Sequence, residues 1–255
     1  MFLITNPKIA GFIPQWSQFK GFSILFDNPG DRLLPLDENR DLKLLSCDIT
    51  SEELELYKRL YQTLTLFPEM PSTYLFCPLP FHSYHVTLWD GINDANVQNV
   101  SRKYRFDAED LLEDLPNSFL KEKKFFSIDE QPLAISMEEP IEFQFDKLIK
   151  WGNAGLAANL KPANSQSQDI LHMIEKERKS LTEKYKEYFG LQTCRPSYGP
   201  HVSLGYFANK ELAELSTSMI DYWNESFLSN TNGQTITFAS NSLYGFNNME
   251  TFFKK

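Results

Sequence analysis

Two short stretches decide the reading: Ser83-Tyr84-His85-Val86-Thr87-Leu88-Trp89 and Pro200-His201-Val202-Ser203-Leu204-Gly205-Tyr206-Phe207. Both read as strands, and side chains on a strand alternate between faces. His85 and Thr87 therefore share one face, with Val86 and Leu88 on the other. His201 and Ser203 face one way, Val202 and Leu204 the other. Each run turns two apolar residues into a core and an imidazole plus a hydroxyl toward a cleft. One His-x-Ser/Thr means little in a chain with four histidines. The doubled His-Val-Thr/Ser-Leu is the signal.

The surroundings repeat as well. Upstream of the first run, Gly21–Asp27 is strand-like and is stopped by Asn28-Pro29-Gly30. A helix follows, with Thr50 and Glu53 at capping-box spacing and Leu54, Tyr57, Tyr61 and Leu64 as its apolar stripe. Pro68 and Pro71 end it, and Tyr74–Cys77 is extended. Upstream of the second run, Ala154–Leu160 is a strand stopped by Lys161-Pro162. A helix over Ser167–Phe189 follows, buried through Ile170, Ile174, Leu181, Tyr185 and Tyr188, with Gly190 as its C-cap. Strand, helix, histidine-bearing strand thus occurs twice. Leu133–Met137, Ile141–Phe145 and Thr235–Ala239 read as further strands. Lys210–Trp223 reads as a helix through Leu212, Leu215, Met219 and Tyr222. The acidic stretch Asn93–Lys124 reads as an insertion, helical around Ala108–Leu115, and is either a lid or a surface excursion.

Composition narrows the class. The 255 residues, 42% of them hydrophobic, suffice for one bilobal domain, with lobes over about 20–130 and 131–255. No apolar run approaches membrane-spanning length. The short apolar start Met1–Ile4 is broken by Pro7 and Pro14 and lacks a signal peptide's basic and hydrophobic regions, so a cytoplasmic protein is expected. The formal charge of −9, from 25 basic and 34 acidic residues, argues for a small or terminal substrate and against a long duplex. Cys47, Cys77 and Cys194 form no CxxC pair and read as buried thiols. There is no GxGxxG and no Walker loop, so no cofactor is expected; oligomeric state is not legible.

The paired motifs suit phosphodiester cleavage. A neutral imidazole can take a proton from the attacking oxygen, and an imidazolium can give one to the leaving oxygen. The hydroxyls can donate to the non-bridging phosphoryl oxygens as charge develops. The imidazolium supplies positive charge, so the scheme needs no metal. Ser203 and Thr87 are donors here; no acid is placed in sequence to complete a serine triad.

On these motifs the chain resembles the 2H phosphoesterases, defined by two His-x-Thr/Ser motifs, one in each half of a bilobal α+β fold. Ser83-Tyr84 and Asp90-Gly91-Ile92, flanking the first motif, look like an uncharacterised bacterial branch. The resemblance implies a pseudo-twofold fold in which two antiparallel sheets form a central groove with helices outside. It implies that His85, Thr87, His201 and Ser203 are catalytic. It also implies a substrate such as a 2′,3′-cyclic nucleotide, an RNA end or a short oligonucleotide.

Around these four, Trp89 and Phe207 continue the two histidine faces and could stack on a base; both are equally read as core at the strand ends. Arg195 and Tyr198, in the loop before the second motif, are candidate phosphate contacts or plain surface. Gly205 leaves room for a ligand or marks a bulge. His82, three before His85, falls on the opposite strand face, which argues against a zinc site built from His82, His85, His201 and a carboxylate. His172 has no partner in sequence, and Glu175–Lys179 reads as a solvated helix face. The rival to an enzyme is a binding module that holds a nucleotide or phosphate ester on the same fold.

Overall fold

The computed structural model describes every residue except 1–2, 12–14, 33, 37–38, 122–123, 152–153 and 196, together with the side chains of 39 and 40. Met1 and Pro14, used in reading the N-terminus, lie outside the described residues. In chain order the strands are β1 (Ile9–Gly11), β2 (Gln15–Trp16), β3 (Gly21–Phe26), β4 (Leu34–Leu36), β5 (Asn39–Leu44), β6 (Phe76–Pro78), β7 (Thr87–Asn93), β8 (Ser127–Ile128), β9 (Gln131–Pro132), β10 (Ile141–Trp151), β11 (Gly155–Pro162), β12 (His201–Phe207), β13 (Thr235–Phe238), β14 (Asn241–Phe246) and β15 (Phe252–Lys254). The helices are α1 (Glu55–Leu64), α2 (Glu69–Thr73), α3 (Arg105–Glu113), α4 (Asn117–Lys121), α5 (Ser165–Phe189), α6 (Lys210–Leu215) and α7 (Ile220–Asn230).

Two antiparallel sheets dominate. One has the order β4-β5-β15-β14-β3-β7, the other β13-β10-β11-β12-β6. The sheets exchange strands across the sequence: β14 and β15, from the C-terminus, complete the first, and β6, from the N-terminal half, closes the second. A boundary near residue 130 therefore separates the chain but not the sheets. α1, α5 and α7 pack on the second sheet, and α5 also reaches β7, as described below. The two-sheet α+β architecture with outer helices is the one that the family resemblance implied.

The long helix α5 shows how locally consistent the sequence is. Asn164 accepts from the Ser167 amide at its N-terminus, and Gly190, at φ 73°, closes it by donating its backbone N–H to Lys186 O. Its buried line is Ile170, Leu171, Ile174, Arg178, Thr182, Tyr185 and Phe189, at spacings of three and four with one adjacent pair. Tyr188, placed on that line from periodicity, is 43% exposed.

Several elements differ from expectation. The strand expected from Ser83 begins at Thr87 and runs on through Asp90-Gly91 to Asn93, with Phe81–Ser83 in a 3-10 turn, and Pro71 lies inside the short helix α2. The capping box at Thr50 is not made, because the Thr50 amide and hydroxyl both bond Asp48 Oδ1. Leu133–Met137 joins no sheet. The Leu133 amide bonds Phe126 O and Ile135 O accepts from Asn241 Nδ2, so the segment is extended but unladdered. Lys210–Trp223 splits into α6, a 3-10 turn over Ser216–Met219 and the start of α7. The split turns Leu215 and Tyr222 to solvent and buries Trp223 and Phe227 instead. The insertion holds α3 and α4. Of its described residues, only Asn93 and Ala95 line the groove described next.

Candidate active site

The motif strands meet edge to edge. β6 covers β12 only from Gly205 to Phe207. Where β6 runs out, the first motif takes its place through an antiparallel bridge between Val86 and Val202. Antiparallel order sets His85 beside Ser203 and Thr87 beside His201. In both motifs the histidine and hydroxyl residue are half-buried, and the intervening valine and following leucine are buried. All four polar residues line one groove of about 340 Å³, at the small end of ligand sites, which span roughly 300–1,000 Å³.

The imidazoles are held alike. His85 Nδ1 lies 2.7 Å from Ser83 O and His201 Nδ1 lies 2.8 Å from Gly199 O, each a carbonyl two residues upstream. A carbonyl only accepts, so Nδ1 carries the proton and Nε2 is left as the working nitrogen. Each ring also leans on an aromatic: His85 on Phe252 at 4.3 Å between centroids, His201 on Trp151 at 5.1 Å. Burial pushes His85 down to about 4, helped by the nearby charges of His201 and Lys8 and opposed by its Ser83 bond. Burial also lowers His201, where the Gly199 bond and the Asp90 carboxylate pull the other way.

Each strand carries one extra residue just after its motif. Ile24 pairs with Trp89 and Leu25 with Thr87, so Leu88 is a bulge; Leu156 pairs with Gly205 and Ala157 with Ser203, so Leu204 is another. Past each bulge the faces exchange. Trp89 and Phe207 are fully buried, and Trp89 Nε1 donates to Thr182 Oγ1 at 3.1 Å. Neither reaches the groove, which corrects their placement as stacking residues. Asp90 and Tyr206 take the groove side instead. Gly205 is needed because a Cβ there would lie 2.4 Å from Cys77 O.

The loop candidates are also placed elsewhere. Arg195 is exposed and borders a separate cavity with Arg178, Thr182 and Cys194. Tyr198 donates its hydroxyl to Thr87 O at 3.0 Å, tying the second-motif loop to the first motif. Arg178, read as part of a solvated face, is 8% exposed. It donates to Leu88 O at 2.8 Å and Arg195 O at 2.9 Å and lies over the Tyr198 ring. It therefore braces both motif neighbourhoods from α5. His82 is exposed, and His172 is exposed on α5. Among the described residues no three His, Cys, Asp or Glu side chains gather as a metal cluster, and no helix is long and apolar enough to cross a membrane. Cys47, Cys77 and Cys194 are free and buried.

Groove residues that the motifs did not announce include Lys8, Asp90, Trp151, Tyr206 and Phe252. Only Asp90 and Tyr206 carried a readable signal, and only to a reader who allowed for a bulge.

Fold and site together define an α+β architecture of two antiparallel sheets in which two His-x-Thr/Ser segments meet in one groove. The fold is similar to that of a conserved protein of unknown function from Agrobacterium tumefaciens, with a TM-score of 0.53 and 13% identity over 97% of this chain and 88% of that one. Weaker likenesses are to E. coli LigT (TM-score 0.43, 12% identity, 93% and 95% covered) and to Kluyveromyces marxianus Usb1 with uridine monophosphate (0.40, 11%, 92% and 96%). At these identities the likeness concerns the fold alone. No family model and no curated protein matches the sequence.

Proposed function

We propose that this protein is a metal-independent phosphodiesterase. Its substrate would be a cyclic phosphodiester, such as a 2′,3′-cyclic nucleotide or RNA end, or a short oligonucleotide. The observation that carries the reading is the pair of imidazoles, one per lobe, each locked at Nδ1 and sharing a groove with the two hydroxyls. Water attacks phosphorus as one Nε2 takes its proton. The bond to the leaving oxygen breaks as the other imidazole protonates that oxygen, giving a monoester and a free hydroxyl. Thr87 and Ser203 donate to the non-bridging oxygens. The carboxylate of Asp90 favours a proton on His201, so we assign His201 as acid and His85 as base. Burial holds both imidazoles toward neutrality, and an anionic substrate favours protonation of the acid.

The test is hydrolysis of 2′,3′-cyclic nucleotides and short 2′,5′- and 3′,5′-linked oligonucleotides with EDTA present. Turnover that survives EDTA supports the reading, and the members cleaved define the substrate. Phosphate esters bound but left intact over hours would establish a binding module instead.

A further inference from the structure

The groove holds one lysine, and the paired-histidine scheme does not use it. Lys8 lines the groove beside His85 and His201 and is half-buried. Its ammonium donates to Tyr206 Oη at 3.1 Å. It sits over three rings, 4.6 Å from the centroid of Tyr206, 5.0 Å from Phe19 and 5.7 Å from Trp151. Such a cage holds a cation without neutralising it. No carboxylate pairs with Lys8 among the described residues. An ammonium has three donors; one goes to Tyr206, and the other two have no protein acceptor among the described residues.

Its position is fixed by the strand that bears the second motif. The amides of Thr5 and Asn6 both bond Ala208 O at 3.0 Å, and Asn6 Nδ2 bonds Phe207 O at 3.1 Å. Asn6 Oδ1 then accepts from the Lys8 amide. The N-terminal strap is thus pinned to the end of β12, and Lys8 is set relative to His201 before any ligand arrives. A pre-positioned, half-buried cation with no carboxylate partner and two open donors among the described residues is the arrangement that binds an oxyanion.

We propose that the ammonium of Lys8 is the anion anchor of the groove, donating to a non-bridging oxygen of the substrate's phosphate. The proposal rests on the phosphodiesterase reading for the identity of the substrate, and on geometry alone for the binding of phosphate. A charge-assisted bond of this kind is worth about 10- to 100-fold in affinity. Inorganic phosphate titrated into the full chain measures it by calorimetry, with Lys8→Met and Lys8→Arg beside the wild type. Lys8→Met keeps an apolar stem in the aromatic cage and should weaken phosphate binding by about that factor, while Lys8→Arg restores most of it. NMR titration of the imidazoles adds a readout that a merely structural lysine would not move. Lys8 depresses both histidines, so both should titrate at higher pH in Lys8→Met. In the wild type, the Lys8 Nζ signal should shift on phosphate addition, a measurement that needs no variant to fold. Phosphate affinity unchanged in Lys8→Met, or an unmoved Lys8 signal, overturns the proposal. Lys8-dependent phosphate binding without turnover of any ester upholds the anchor and overturns the chemistry.

Discussion

The two histidines make the same bonds but differ in their neighbours. His201 feels the Asp90 carboxylate and His85 does not. A substrate with a p-nitrophenolate leaving group needs no general acid, so it separates the assigned roles. On that substrate His201→Ala should fall much less than on an oligonucleotide, whereas His85→Ala should fall alike on both, by about 10²–10⁴-fold. The reverse pattern would exchange the assignments. The same burial makes a pH prediction. His85 titrates near 4 in the folded chain against an ordinary 6.5, so between those values the unfolded chain binds more protons. Stability therefore rises with pH across that window and is lost as pH falls through it. Urea midpoints from pH 4 to 7 should show the wild type losing ground to His85→Ala on acidification; parallel curves would contradict it. At this scale the meeting of His85, Thr87, His201 and Ser203 in one groove is legible, because an alternating pattern announces which side chains share a face. Lys8 was illegible: nothing in Asn6-Pro7-Lys8 signals that the strap will pin to β12.

One added residue per strand decides what lines the groove. Leu88 and Leu204 each break the two-residue period, so a face argument that holds for two residues fails at the third. That is why Trp89 and Phe207 read as base-stacking candidates and are core, and why Asp90 and Tyr206 went unnoticed. Bulges leave no mark in composition; only Gly205, whose Cβ position is blocked by Cys77 O, hinted at one. Trp89→Phe should keep the substrate KM within about twofold and cost about 1 kcal/mol of stability through the lost bond to Thr182. A large rise in KM with stability unchanged would put Trp89 back in the groove. Arg178 escaped notice for a related reason: a charged residue on a helix is usually solvated, and only the tertiary structure shows the Leu88 and Arg195 carbonyls that take its donors.

The sheets exchange β6 for β14 and β15, and the Val86–Val202 bridge, Tyr198 and Arg178 join the two motifs across the lobes. The chain should therefore unfold as one cooperative unit despite its two lobes. Calorimetry should show a single transition whose van't Hoff and calorimetric enthalpies agree, and two separable transitions would contradict the exchange. The repeat of strand, helix and histidine strand was visible in the sequence. The exchange was not, because strand pairing over such separations leaves no local pattern. The central claim is that one residue from each lobe works on the same phosphorus. It is tested most directly by kcat for His85→Ala, His201→Ala and the double variant on the best-cleaved diester with EDTA present. Each single variant should lose about 10²–10⁴-fold, and the double should lose little more than the worse single, as for groups acting as a unit. A folded single variant that turns over at the wild-type rate would contradict the account.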